Sequence, residues 1–282
     1  MKRNIAFLAD YPALFRLGIF VLALLLLWLP LAIPIYWLGR DPNWVSILTI
    51  VLVYGEFILL VRFWGKHVYR KHQILRLYGL RRTRQNGRDL LTGLGIGIIS
   101  LLSLFLVEGW LGWLLWQQPS IFLPQLILEG LIVALGFGFA EELLFRGWLL
   151  DELQRDYRPR PSLWINSCLF ALLHFIKPFR ELLRTWPQFP GLLLLGLTLV
   201  WAKRSTKGRL GLPIGIHAGL VWGNYIINVG QLVQYSNQIP DWITGVDRNP
   251  LAGVMGLLSL GVLAFWIRRR SLLQVNSRSC LD

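Results

Sequence analysis

Apolar residues along this chain fall into eight long runs separated by short polar segments rich in arginine and lysine. The runs cover roughly residues 17–38, 45–63, 91–116, 122–150, 163–176, 191–202, 210–229 and 251–267. A run of about twenty apolar residues crosses the hydrocarbon of a bilayer as a helix, and open backbone is not tolerated there. The pattern therefore predicts an all-α, polytopic integral membrane helix bundle of about eight transmembrane helices, the fifth and sixth being short. No polar stretch is long enough for a second core, so residues 1–282 are expected to form a single membrane domain. The first run starts late, is long, and has no small-residue cleavage site after Met1-Lys2-Arg3, which favours a signal anchor over a removed signal peptide.

Composition strengthens this picture. Charged residues make up 16% of the chain and hydrophobic residues 55%, against about a quarter charged in ordinary soluble domains. The net charge of +14 would raise the question of nucleic acid in a soluble chain, but here the basic residues sit between apolar runs and set orientation instead. With the N-terminus inside, 23 of the 29 Lys and Arg fall in inside segments and 5 outside, with Arg146 left within a run. Both termini are thus expected in the cytoplasm, in a cell membrane of prokaryotic type or an internal or plastid membrane. The outside group Lys177–Arg184 departs from the rule. It interleaves with Phe179, Leu182, Leu183 and Trp186 and is expected to lie at the interface. The nine basic residues of Arg62–Arg88 adjoin a span, so anionic lipid is the expected partner there and nucleic acid is not. Cys168 and Cys280 make neither a disulfide framework nor a metal motif.

Ionisable groups inside apolar helices are costly and need a partner or a purpose. They cluster here: Glu141, Glu142 and Arg146 in the fourth run, His174 at the end of the fifth, His217 in the seventh. Glu142 and Arg146 are four apart and share a helix face as a structural ion pair. Glu141 is rotated by about 100° and has no intrahelical cation, which suits a general base; a hydrogen bond between helices or an acid-lined water cavity would need the same residue. Asn166, Phe170 and His174 form one stripe. His217 lies among Pro213, Gly215 and Gly219, which permit close helix approach, and its stripe continues through Val221 and Asn224 to Asn228. Glu56, Glu108 and Glu129 lack a basic neighbour along their helices and are expected to be structural.

Glu141-Glu142-x-x-x-Arg146, then Phe170-x-x-x-His174, then His217, in that order across residues 120–230, resembles the CPBP family of CAAX prenyl endopeptidases and bacteriocin-processing proteins, also called Abi. The resemblance implies an intramembrane endopeptidase acting on a membrane-associated protein or peptide. It casts Glu141 as the glutamate that activates water, His174 as the residue holding that water, His217 as the oxyanion stabiliser, and Glu142 with Arg146 as the structural pair. The family usually has Asn four residues after the third-motif His. Here that position is Val221, and Asn224 lies a further turn along, about 10 Å from His217 along the axis.

The expected chemistry is amide hydrolysis with no metal and no other cofactor. A zinc version on His174, His217 and a Glu is conceivable, but with Glu142 committed to Arg146 it leaves no carboxylate as base. Cys168 is six residues from His174 and faces elsewhere, without an activating partner. The competing class is a non-proteolytic scaffold or immunity-type protein that keeps the polar cluster for packing. A transporter finds no support in paired broken helices or an internal repeat. The end of the chain, Ser279-Cys280-Leu281-Asp282, does not fit C-a-a-X, and the substrate and oligomeric state are not legible.

Overall fold

A computed structural model describes residues 5–119, 122–236 and 238–279, so the expectations for Met1-Lys2-Arg3 and Cys280 lie outside the described residues. Each apolar run is a helix: α1 (Ala13–Leu38), α2 (Pro42–His67), α3 (Arg84–Trp110), α4 (Leu123–Glu142), α5 (Pro159–Leu173), α6 (Phe189–Ser205), α7 (Gly211–Val229) and α8 (Val254–Ser279). The caps are local and chemical. Asp41 accepts from the Asn43 amide at 2.8 Å with Pro42 in the first helical position, and Thr83 Oγ1 accepts from the Asn86 amide at 3.2 Å.

Among the described residues, four helical stretches are long and apolar enough, by length and composition alone, to cross a membrane: Ala13–Leu38, Pro42–His67, Arg84–Trp110 and Leu123–Asp156. The other four apolar runs form helices of a more mixed kind within the same all-α bundle. Helices α5 and α6 have only 15 and 17 residues, α7 carries His217, Asn224 and Asn228, and the apolar part of α8 ends at Arg268-Arg269-Arg270. Packing explains why α7 tolerates polar residues: it is buried against α3 and α4, while α6 is covered by α5 and α8.

The α3–α7 contact rests on backbone approach. A Cβ on Gly215 would lie 2.1 Å from the Leu90 carbonyl, and one on Gly97 would lie 2.4 Å from that of Ile216. Gly93 and Gly219 are equally closed, so two small-xxx-small faces oppose each other and fix the helix that bears His217.

Two predicted boundaries move. The third run stops as helix at Trp110. After a turn through Gly112 (φ +74°) it becomes strand β1 (Leu114–Trp116), antiparallel to β2 (Val233–Tyr235) with Leu114 opposite Tyr235. The fifth ends at Leu173, with His174 as its C-cap rather than inside a helix reaching Ile176. Of the Lys177–Arg184 group, Arg180 and Arg184 lie on a short helix, Phe179–Thr185, that Lys177 and Pro178 precede, with Phe179 and Leu183 exposed.

Helix α4 does not end at Glu142. It passes through a π-helical stretch, Leu143–Leu149, and resumes as α-helix over Leu150–Asp156. Trp148 from this stretch packs on Phe20 of α1 at 4.4 Å and Phe57 of α2 at 5.8 Å between ring centroids. Below it, Glu152 accepts from Arg16 Nε at 3.1 Å and Tyr69 Oη at 2.6 Å, which ties α1 and the α2–α3 connection to the end of α4. Burial first, and the Glu152 carboxylate second, push the Tyr69 phenol above its ordinary value.

Candidate active site

The chemistry of the site begins at the α-to-π junction. Wide turns of this kind recur at functional sites because they re-aim side chains at some expense in backbone bonding. Here the carbonyls of Phe145 and Arg146 accept lateral donors, Asn166 Nδ2 at 2.8 Å and Lys203 Nζ at 2.5 Å. Asn166, singled out by its place on the His174 stripe as a supporting residue, is fully buried behind the site and braces the π stretch. Lys203 does the same from α6, and nothing in the sequence marked it for this.

Arg146 is fully buried. Its Nη1 pairs with Glu142 Oε1 at 2.9 Å, its Nη2 reaches the Gly196 carbonyl at 3.3 Å, and its guanidinium lies 4.2 Å from the Phe170 ring centroid. The i,i+4 pair expected from spacing is therefore present. Glu142 has a second partner that spacing did not reveal: His217 Nδ1, 75 residues away in sequence, is 2.9 Å from the same Oε1. The carboxylate oxygen accepts, so Nδ1 carries the proton and donates. Phe170 closes the arrangement, with its ring edge-to-face with His174 at 4.7 Å and His217 at 6.1 Å.

His174 is fixed in the same sense. Its Nδ1 donates to the Phe170 carbonyl at 2.7 Å, at the C-terminal end of α5. With both Nδ1 positions engaged, both Nε2 atoms are turned to one place. Each lies 3.8 Å from Glu141 Oε2, beyond hydrogen-bond reach, and that oxygen is buried without a partner. Glu142 has no exposed side-chain surface, whereas the Glu141 side chain keeps 20% exposure and the His174 side chain 31%.

Glu141, His174 and His217 open onto a cavity of about 350 Å³. Its walls are otherwise mostly apolar, from Leu101, Leu104, Phe137, Leu192, Leu195 and Leu220, a mixture suited to an extended organic ligand. Val221 and Asn224 both line it. Helix α7 is continuous through them, so Asn224 stays about 10 Å along the axis from His217. Its Oδ1 accepts from Asn228 Nδ2 at 2.8 Å, which directs the Asn224 amide nitrogen away from that bond. Ser100, Gln188, Asn249 and Ser259 add polar groups that the sequence did not single out, because small polar residues in apolar runs carry no distinguishing spacing.

The other acids of the apolar runs are placed elsewhere. Buried Glu108 accepts from Tyr235 Oη at 3.1 Å beside the β1–β2 ribbon, and exposed Glu129 accepts from Gln125 Nε2 at 2.7 Å. Cys168 is a free, half-buried thiol. Among the described residues no group of three or more His, Cys, Asp or Glu is disposed to hold a metal ion.

No curated protein and no solved structure matches the chain. A family model does, and its bounds enclose Glu141, Glu142, Arg146, Phe170, His174 and His217 while leaving α1–α3 and α8 outside. Over residues 123–223 the chain matches the type II CAAX prenyl endopeptidase Rce1-like family, in agreement with the CPBP resemblance of its motifs.

Proposed function

We propose that this protein is an intramembrane endopeptidase that hydrolyses a peptide bond of a membrane-associated substrate with a glutamate-activated water and no metal. The observation that carries the reading is the convergence of His174 Nε2 and His217 Nε2 at 3.8 Å on the unpartnered Oε2 of Glu141, at the wall of an apolar cavity. A separation too long for direct hydrogen bonds leaves room for one small oxygen species among the three groups.

In this mechanism Glu141 takes a proton from water held at His174 Nε2, and the hydroxide oxygen bonds to the scissile carbonyl carbon. The carbonyl oxygen becomes an oxyanion steadied by the protonated Nε2 of His217, with the Glu142 carboxylate opposite balancing the ring's charge. As the intermediate collapses, the C–N bond breaks and the leaving nitrogen takes the proton from Glu141, giving an amine and a carboxylic acid, which then loses its proton to solvent, and returning Glu141 to its carboxylate. Glu142 is engaged by Arg146 and His217, so Glu141 is the carboxylate left to act as base. If it were a metal ligand, no base would remain.

The test is cleavage of membrane-anchored reporter peptides, with and without a prenylated C-a-a-X terminus, by detergent-purified protein. Wild type should cleave with and without strong chelator, and Glu141→Gln should not. Loss of turnover in chelator would overturn the metal-free reading. One observation favours a second reading: Val221 presents an apolar wall where a second oxyanion donor is expected, which suits a scaffold that keeps the cluster for packing. In that case Glu141→Gln retains full partner function in cells.

A further inference from the structure

Away from the site just described, two concavities meet at the membrane end where α2 finishes and α3 begins. The first, of about 550 Å³, is lined by Arg62, His72, Arg76, Arg81, Arg82 and Thr83, and no acidic side chain lines it. Arg76 bonds the neutral Gln73 Oε1 at 3.2 Å, and among the described residues none of the four arginines makes a salt bridge. The nearby acid Asp89 is taken up by Arg209 Nε at 2.6 Å and Gln85 Nε2 at 3.1 Å. The first turn of α3, starting at Arg84, adds the positive end of a 27-residue helix to the same place.

The second concavity, of about 480 Å³, shares Leu80, Arg81, Arg82 and Thr83 with the first. From there it runs between α3, α4 and α7 along Leu90, Leu135, Phe139 and Ile214. Gly87 forms part of its wall, and a Cβ there would meet nothing within 4 Å. A cation-rich chamber thus opens directly into an apolar groove between membrane helices. Four like charges held together without counter-charges repel one another unless an anion joins them.

We propose that these joined cavities are a binding site for one anionic lipid, its phosphate-bearing headgroup in the arginine chamber and an acyl chain along the Leu90–Phe139 groove. A free phosphate would satisfy the chamber but leave the groove unused. A neutral lipid would fill the groove but leave the arginines uncompensated. The groove reaches Phe139, two residues before Glu141, so an occupant would touch α4 on the side away from the catalytic cavity. The proposal does not depend on proteolysis.

The experiment measures thermal stabilisation and retained lipid by native mass spectrometry on full-length detergent-purified protein. It compares phosphatidylglycerol, phosphatidylcholine and inorganic phosphate. Phosphatidylglycerol should stabilise wild type, Glu141→Gln and an Arg158→Gln/Arg160→Gln control, whose exposed arginines line neither cavity. Arg81→Gln/Arg82→Gln should bind it on the order of 25-fold more weakly, at about fivefold per arginine. Gly87→Trp, which fills the groove, should lose it while keeping the arginines. Equal stabilisation by phosphatidylcholine, or an equal loss in the Arg158/Arg160 control, would overturn the site in favour of general membrane attraction. Protection by inorganic phosphate as strong as that by lipid, persisting in Gly87→Trp, would overturn the lipid as occupant.

Discussion

Glu142 is the residue whose role the geometry changes most, and that role is separable by mutation. Its Oε1 serves a fully buried Arg146 and the Nδ1 of His217, both at 2.9 Å. Arg146→Met alone strands a carboxylate that has no exposed surface. Breaking a buried pair from one side costs about 3–5 kcal/mol, or a fall in Tm of about 6–20 °C at about 2–4 °C per kcal/mol for a chain of this size. Glu142→Leu/Arg146→Met replaces both charges by apolar groups of similar volume, a change that is often neutral or better. The loss of the guanidinium over Phe170, at 4.2 Å, subtracts up to about 2 kcal/mol. The double variant should therefore recover most of the stability that the single variant lost. It should not recover turnover, because the His217 ring has lost the carboxylate that orients it through Nδ1 and balances the charge of the doubly protonated ring whose Nε2–H meets the oxyanion. Removing the orienting carboxylate of a catalytic histidine costs up to about 10⁴ in rate, so a loss between about 10² and 10⁴ in kcat is expected. Thermal unfolding by circular dichroism and cleavage of the reporter peptide read the two quantities separately. Wild-type turnover in the double variant would refute a positioning role for Glu142, and wild-type stability in Arg146→Met would refute the buried pair itself.

Other outcomes follow from the same geometry. Val221→Asn places a donor four residues after His217 in the cavity wall and should raise kcat at least about tenfold; no gain means that another group already meets the oxyanion. Gly215→Val drives a side chain into the Leu90 carbonyl, 2.1 Å from its Cβ, and should destabilise by about 3 kcal/mol, whereas Gly95→Ala, with nothing within 4 Å, should stabilise by up to about 1 kcal/mol in the same unfolding assay. Tyr235 is pushed above its ordinary value by burial and then by the Glu108 carboxylate, and Tyr69 and Tyr78 are raised chiefly by burial. These phenols bind protons in the folded chain that the unfolded chain has released above about pH 10, so stability should be complete below that pH and fall as pH rises past it; a flat Tm from pH 9 to 12 would contradict this.

The element order was legible because a bilayer-length apolar helix is specified by nothing more distant than its own residues. All eight runs are helices for most of their length. The boundary at Trp110 was not legible, since Leu114–Trp116 is as apolar as the helix before it and becomes strand only through pairing with Val233–Tyr235. Among the described residues, length and composition single out four stretches able to cross a membrane, whereas α5, α6 and α7 pack largely against other helices, which apolar patterning alone does not reveal.

Within the site, spacing along one helix was enough to pair Glu142 with Arg146 and to set Glu141 apart, because a residue's neighbours three or four positions away are fixed by helix geometry alone. The order of the three motifs was enough for the family resemblance. Contacts between helices were beyond that reach. The bond from Glu142 to His217, the turning of both Nε2 atoms onto Glu141, the bracing of the π stretch by Asn166 and Lys203, and the joining of the arginine chamber to an apolar groove all bring together residues distant in sequence. Periodicity determines which face of a helix is polar, but only packing, here the Gly93/Gly97 contact with Gly215/Gly219, decides what that face meets.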